Sequence, residues 1–186
     1  NEGPQTEFLA APEKEVLYGG AAGGGKSYAM LMDLLRYADN QNHRALLLRR
    51  TLPELTELID KSKQIYTKAF PKARFKESTK TWEFPSGAKA LFSYVDKDDD
   101  VYRYQGQSFT WIGIDELGHY PTPYVWNYLR SRLRTTDPKI ETYMRASSNP
   151  GGSGGWWVKR MFIDPAPPDQ PFWATDIETG RTLSYG

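Results

Sequence analysis

Two observations predict a three-layer α/β fold with a mainly parallel central sheet. Residues 18–27 read YGGAAGGGKS, and Gly20, Gly25, Lys26 and Ser27 satisfy the spacing G-x-x-x-x-G-K-[ST] directly after the apolar run EVL. Beyond that loop, apolar runs of strand character alternate with stretches of helical period, the order that builds a parallel sheet with helices on both faces.

The elements can be justified in turn. EVLYGG (15–20) is a short buried strand. Residues 26–39 have helical period, with Met30, Leu31, Leu34, Leu35 and Ala38 on one side. RALLLRR (44–50) is a strand whose continuous apolar centre suits a sheet covered on both faces. Residues 53–70 form a second helix, with Pro53 at its start and Leu55, Leu58, Ile59, Ile65, Tyr66 and Phe70 inward. TWEFPSGAKALFSY (81–94) is an inserted β-hairpin turning on Pro85, Ser86 and Gly87. FTWIGIDE (109–116) is a strand, PYVWNYLRSRLR (123–134) a helix, IETYMRASS (140–148) a strand and GGWWVKRMFI (154–163) a last helix. The expected organisation is one P-loop domain over 1–163 and a tail over 164–186. Four prolines in DPAPPDQP (164–171) make a stiff linker, and FWATDIETGRTLSYG (172–186) reads as a small hairpin around Thr179 and Gly180.

The glycine-rich loop fits a phosphate chain. Glycines reach positive φ, so successive N–H groups can turn inward at phosphate oxygens, and the following helix offers its positive end. Gly20, Ala21, Ala22, Gly23, Gly24 and Gly25 would cradle the phosphates, Lys26 would reach the β- and γ-phosphates of ATP, and the Ser27 hydroxyl would bind Mg²⁺. A flexible glycine linker is the bland alternative, but it would not end in Lys-Ser between a strand and an amphipathic helix. WIGIDE ends an apolar strand in two acids: Asp115 would hold the Mg²⁺ through its water shell, and Glu116 can polarise a water for attack on the γ-phosphate. An N-cap at Asp115 is the competing reading. SSNPGG (147–152) sets Ser147, Ser148 and Asn149 at another strand end, where they could touch the γ-phosphate or its attacking water; an ordinary turn would also explain Asn149 to Gly151.

Composition bounds the rest. The chain has 186 residues, 39% hydrophobic and 25% charged, enough for one domain with a substantial core. It has no cysteine, which excludes disulfides, cysteine-based zinc sites and thiol catalysis. No apolar run approaches the roughly 20 residues of a membrane span, no signal-peptide pattern opens the chain, and no membrane role is expected. Net charge is +1, but segment 44–80 holds ten Lys/Arg against four Asp/Glu, segment 130–160 seven against two, and segment 93–116 two against six. A basic face for a polyanion and ordinary solvated surfaces both account for this.

PQTEFL, GGAAGGGKS, LLLRRT, YQGQSFTWIGIDE and SSNPGG, in this order and spacing, resemble the ATPase domain of the large terminase subunit of tailed double-stranded DNA bacteriophages over about residues 4 to 160. The resemblance implies an ASCE-type P-loop fold, with the SSN strand between the P-loop strand and the WIGIDE strand. It implies an ATP-hydrolysing motor that drives double-stranded DNA into a procapsid in the host-cell cytoplasm and is not retained in the virion. Its partners would be the portal protein and the small terminase subunit, and it would act as a homo-oligomeric ring whose isolated subunit can be monomeric. Gln5 falls in the family's adenine-binding stretch, with a solvated N-terminal residue as the plain alternative, and SSN falls in its coupling motif.

Two departures stand out. Family members commonly carry an arginine beside a glycine in the loop before the Asp-Glu pair; here that place reads Gln105-Gly106, and the nearest arginine is Arg103. An arginine supplied in cis or trans stabilises the charge that spreads over a transferring phosphoryl group. Arg103 acting in a neighbouring subunit is the expectation, with a salt bridge to the acids at 98–100 as its competing role. Arg49 and Arg50, at the carboxyl end of the second strand, could lie near the same subunit's phosphates, and Arg50 is the alternative in cis. The family's C-terminal nuclease is not expected here, so the chain is expected to be the motor half of a longer protein. Other readings of the same residues are a helicase or recombinase-like ATPase and a nucleotide-switched binding module.

Overall fold

The computed structural model describes residues 4–19, 25–149, 151–163, 172–176 and 180–185; Gly20 to Gly24, Pro150 and the proline-rich stretch 164–171 lie outside them. The described strands are β1 (Glu15–Tyr18), β2 (Arg44–Arg49), β3 (Arg74–Lys76), β4 (Thr81–Glu83), β5 (Lys89–Tyr94), β6 (Trp111–Ile114), β7 (Tyr143–Ser147), β8 (Phe172–Asp176) and β9 (Gly180–Tyr185). They form one sheet in the order β3-β4-β5-β2-β6-β7-β1-β9-β8. From β5 to β9 all neighbours are parallel, while β3, β4 and β8 add antiparallel margins. Strand β7 lies between β1 and β6, the order that the resemblance implies.

Alternation along each strand builds two cores. Ala45 and Leu47 of β2 face one core together with Phe8, Met30, Leu31, Leu55, Leu58 and Tyr66 from α1 (Pro4–Ala10), α2 (Lys26–Asp33) and α3 (Leu52–Ala69). Leu46 and Leu48 face the other, with Val125, Trp126 and Leu129 of α4 (Tyr124–Arg130) and Trp157 and Val158 of α5 (Gly155–Val158). Tyr66 anchors the first core: its ring meets Trp82 edge-on at 5.3 Å, and its hydroxyl donates to the Leu31 carbonyl at 2.7 Å. Among the described residues no helix is long and apolar enough to cross a membrane.

Several elements differ from the sequence expectation. The helix expected over 26–39 is α-helical to Asp33 and tightens into a 3-10 turn over Leu34–Tyr37. The helix expected over 123–134 stops at Arg130 because the chain beyond it turns extended: the Arg132 carbonyl accepts from Phe109 N–H at 2.9 Å, and Arg134 N–H donates to the Phe109 carbonyl at 2.9 Å. The expected hairpin is three-stranded, since β3 pairs with β4 and lays Phe75 against Trp82. Acids 98–100 open a 3-10 turn, Asp98–Tyr104, and Gln5 belongs to a helix. The last expected helix is α-helical over α5 and widens to a π-turn over Lys159–Ile163. In the tail, β8 and β9 do form a hairpin, and β9 also pairs parallel with β1.

His43, just before β2, is fully buried between the Thr110 hydroxyl and the Leu34 carbonyl, each 2.8 Å from a ring nitrogen. Burial lowers its pKa to about 4; the Leu34 carbonyl opposes this and Arg44 adds to it. An exposed histidine titrates near 6.5, so below that pH the unfolded chain binds the proton that the folded chain refuses. Stability should therefore fall as pH drops from about 6.5 to 4, by roughly 3 kcal/mol from this residue. Denaturant titrations at pH 7 and 4.5 should show a smaller loss in His43→Gln than in the wild-type chain. Equal losses would assign the acid sensitivity to other groups.

Candidate active site

The carboxyl ends of β1, β2, β6 and β7 come together because their registers pair Tyr18 with Ser147, Leu48 with Ile114 and Ile114 with Ala146. In open α/β sheets ligands bind beyond these ends. The step from β1 to α2 is closed by Gly25, whose φ of 70° is left-handed. A Cβ there would also lie 2.1 Å from the Gln5 amide nitrogen, which donates to the Gly25 carbonyl at 3.2 Å. Glycine is thus favoured at Gly25 by its conformation, since the Gln5 amide is the end of a flexible side chain that can shift.

Asp115, fully buried one residue past β6, gathers the site. Its Oδ2 accepts from the Ser27 hydroxyl at 2.9 Å and from Arg49 Nε at 2.8 Å; its Oδ1 accepts from the Ser147 hydroxyl. Arg49 Nη2 also donates to Ser27 Oγ at 3.2 Å. The next residue, Glu116, turns left-handed at φ 59°, ψ 51°, which swings its carboxylate off the strand. For a residue with a Cβ this backbone costs of order 1–3 kcal/mol. The Ser147 hydroxyl takes the Glu116 N–H at 3.1 Å, and the Asn149 amide donates to both carboxylate oxygens at 3.3 Å. Lys26 Nζ donates to Asn149 Oδ1 at 2.8 Å. Burial lowers the pKa of its ammonium, with the charges of Glu116 and Asp115 pulling it back up. Ser148 N–H donates to the Tyr18 carbonyl at 3.1 Å, binding the β7 exit to β1.

Lys26, Ser27, Arg49, Glu116 and Asn149 open onto a cleft of about 1000 Å³ that continues between α2 and α3 past Tyr28, Met32, Lys61 and Ile65. The donors fit a Mg²⁺-nucleotide. One hydroxyl and one carboxylate are hard oxygen ligands of the kind that, with substrate phosphates, hold this ion. Among the described residues no cluster of three His, Cys, Asp or Glu forms a separate metal cage.

The structure thus brings together Gln5, Gly25, Lys26, Ser27, Asp115, Glu116, Ser147, Ser148 and Asn149 of the residues predicted from sequence. Gly20, Ala21, Ala22, Gly23 and Gly24 lie outside the described residues. Of the two adjacent arginines, the expected choice is reversed. Arg50 turns away from the cleft: its Nε is 3.3 Å from Asp96 and its Nη1 donates to the His119 carbonyl. Arg49 enters the site instead, because successive side chains leave a strand on opposite faces. Arg103 is exposed, 3.6 Å from Asp100, and donates to the Tyr94 carbonyl at 3.2 Å. His119 is a residue that sequence reasoning misses: its ring lies 3.7 Å from Glu116 and 3.7 Å from Glu54.

The family model described as terminase large subunit, T4likevirus-type, N-terminal, matches residues 17–184. No curated protein matches the chain. Among solved structures, the large terminase of a thermophilic bacteriophage aligns over 88% of this chain and 41% of its own, at 18% identity and TM-score 0.65. The HK97 bacteriophage large terminase aligns over 86% and 36%, at 13% identity and TM-score 0.64. The ATPase domain of the Thermus phage P74-26 large terminase aligns over 100% and 80%, at 10% identity and TM-score 0.63. The thermophilic-phage protein is also known in complex with ATP-gamma-S. The chain therefore spans less than half of the length of the first two proteins.

Asn149 bonds both Lys26 and Glu116 through its one side chain. Asn149→Ala should leave nucleotide affinity within a few-fold and slow the chemical step by roughly 10–100-fold, the usual cost of an orienting partner. Single-turnover hydrolysis beside a nucleotide-binding titration reads the two separately. An unchanged rate would make Asn149 a turn residue only.

Proposed function

The chain belongs to the terminase large-subunit N-terminal family, and we propose that it is the ATP-hydrolysing motor domain that drives double-stranded DNA into a procapsid. What supports this most is the hydrogen bond between Ser27 and Asp115, with Lys26 and Glu116 both held on Asn149 beside it. That arrangement supports reading Ser27 and Asp115 as a metal-binding pair, Lys26 as a phosphate-binding cation and Glu116 as the base, all around one cleft.

In this reading Lys26 leaves Asn149 for the β- and γ-phosphates, and Gln5 reads the adenine. Ser27 and Asp115 would hold Mg²⁺, which when bound neutralises charge on those phosphates. Glu116 takes a proton from a water poised in line with the γ-phosphorus. The water oxygen bonds to phosphorus as the bond to the β–γ bridging oxygen breaks; that oxygen keeps the electron pair, and ADP and phosphate result. Ser147 bonds Asp115 and also takes the Glu116 N–H, so a change at either acid is felt by β7. Arg103 serving a neighbouring subunit remains part of the proposal. It would require release from Asp100 and Tyr94, which a subunit interface could supply. The portal, the small subunit and a ring of copies are the partners this role entails.

Lys26→Ala should abolish hydrolysis and weaken ATP binding, while Glu116→Gln should bind ATP and fail to turn it over. A nucleotide-switched module would tolerate the second change, so normal turnover in Glu116→Gln overturns the hydrolytic assignment.

DNA contact should fall steeply with salt, because phosphate neutralisation releases counterions. Of the three arginines at 130, 132 and 134, Arg130 is engaged by Glu15 and Asn127, leaving Arg132 and Arg134 as candidates. Replacing these two should lower the slope of log affinity against log salt by up to about two. A slope equal to the wild-type value would move the DNA surface elsewhere.

A further inference from the structure

Arg49 and a divalent cation need the same two ligands. The guanidinium bridges Asp115 Oδ2 at 2.8 Å and Ser27 Oγ at 3.2 Å, the two oxygens that the P-loop arrangement assigns to Mg²⁺. Arg49 is itself buried, only 7% exposed, yet it lines the cleft alongside Lys26 and Glu116. Its cation therefore lies on the catalytic side of the sheet, at the end of β2 and in the same subunit. Arg50, the next residue, points away to Asp96 and the His119 carbonyl and cannot substitute for it without rebuilding that corner.

We propose that Arg49 is a resident counter-ion of the metal site: it neutralises Asp115 until Mg²⁺-nucleotide takes Ser27 and Asp115, and the released guanidinium then binds the γ-phosphoryl oxygens in cis. This rests on the reading of the cleft as a Mg²⁺-nucleotide site. The physics is a competition. Asp115 is fully buried and cannot stand uncompensated, so one cation must replace the other. The guanidinium has donors in a planar fork and loses none of its charge on release, so it suits the flat array of phosphoryl oxygens it would meet next. The exchange would also order events: the arginine reaches the phosphate only after the metal has displaced it, so an empty or metal-free nucleotide leaves the catalytic arginine held back.

Mn²⁺ binding to the chain with ADP, which lacks the γ-phosphoryl group that Arg49 would contact, followed by electron paramagnetic resonance, tests the competition without turnover. An opposite charge at this range changes a carboxylate's proton affinity by roughly ten- to a thousandfold, and a competing metal feels the same effect. Arg49→Gln, which can still hydrogen-bond Ser27, should bind Mn²⁺ about tenfold or more tightly. At saturating metal its hydrolysis should be slower by roughly 10³-fold or more. Arg49→Lys keeps the charge but cannot bridge both oxygens; it should fall between the two in Mn²⁺ affinity and should not restore the rate. Thermal melts identify any variant that has not folded, in which case the lysine variant carries the test. Unchanged or weaker Mn²⁺ binding in a folded variant overturns the competition, and a wild-type rate overturns the phosphate contact. If the wild-type chain binds neither ADP nor Mn²⁺-nucleotide, it is the reading of the cleft that fails instead.

Discussion

A carboxylate with no exposure to solvent, Asp115, sets the terms for the whole cleft end of the sheet. Leaving a buried charge unpaired costs several kcal/mol, so its partners must be present and correctly aimed. They come from three other elements: Ser27 from the first turn of α2, Arg49 from the end of β2 and Ser147 from the end of β7. Each stands at or beside the end of a regular element, so the parallel register of β2, β6 and β7 fixes where the donors stand. The same constraint makes the site two-purposed. A group that must be neutralised to fold is also the group that would accept a divalent ion, and the folded chain supplies its own cation in the meantime.

A second buried charge cluster braces the same helix further along. Asp33, the last residue of α2, accepts from the Trp111 indole at 2.8 Å and lies 3.7 Å from the Arg145 guanidinium on β7. Arg145 donates to the carbonyls of Ala11 and Glu13, at 2.8 Å each, and lies over the Tyr143 ring at 4.1 Å. Burial lowers its pKa from the ordinary arginine value, and Asp33 opposes the shift. Helix α2 is therefore clamped to β7 at both ends, through Lys26 and Asn149 near the cleft and through Asp33 and Arg145 away from it. The two clamps differ in kind. The far one is made of fully buried groups with no route to a ligand. The near one is made of groups that line the cleft, so a bound phosphate would draw Lys26 from Asn149 and leave the far clamp standing. That asymmetry gives β7 a single end that responds to the ligand, and Ser147 and Ser148 are carried on it.

Most of the sheet could be read from the sequence because its strands are continuous apolar runs between glycine- and proline-marked turns, and because the P-loop spacing states which strand comes first. The site residues on β1, β6 and β7 followed from being at strand ends. What escaped depends on distance in sequence. The 3-10 tightening after Asp33 follows from His43 reaching the Leu34 carbonyl, and the early stop of α4 follows from the pairing of Phe109 with Arg132 and Arg134. Neither pairing leaves a periodic trace. Arg49 and Arg50 are adjacent and chemically identical, and only the pleat, which sends successive side chains to opposite faces, separates a buried partner of Asp115 from a rim residue bound to Asp96.

The charge runs show the same dependence on three-dimensional placement. Segment 44–80 looks uniformly basic, but Arg44 is occupied by the carbonyls of Gln41 and His43, Arg49 is buried and Arg50 is paired. In segment 130–160, Arg145 is buried and Arg130 is held by Glu15. The exposed cations that remain in the first segment gather near the end of α3 and just beyond it, at Lys68, Lys72, Arg74 and Lys76, while Lys61 pairs with Glu57 at 3.6 Å. Helix α3 packs in the core on one face of the sheet, whereas Val101 and Tyr104, from the turn opened by Asp98 and Asp99, pack in the core on the other. The charge runs thus divide by placement rather than by segment: exposed cations lie on and just beyond α3, whereas the turn that carries Asp98 and Asp99 shares its core with Leu133, the residue between Arg132 and Arg134.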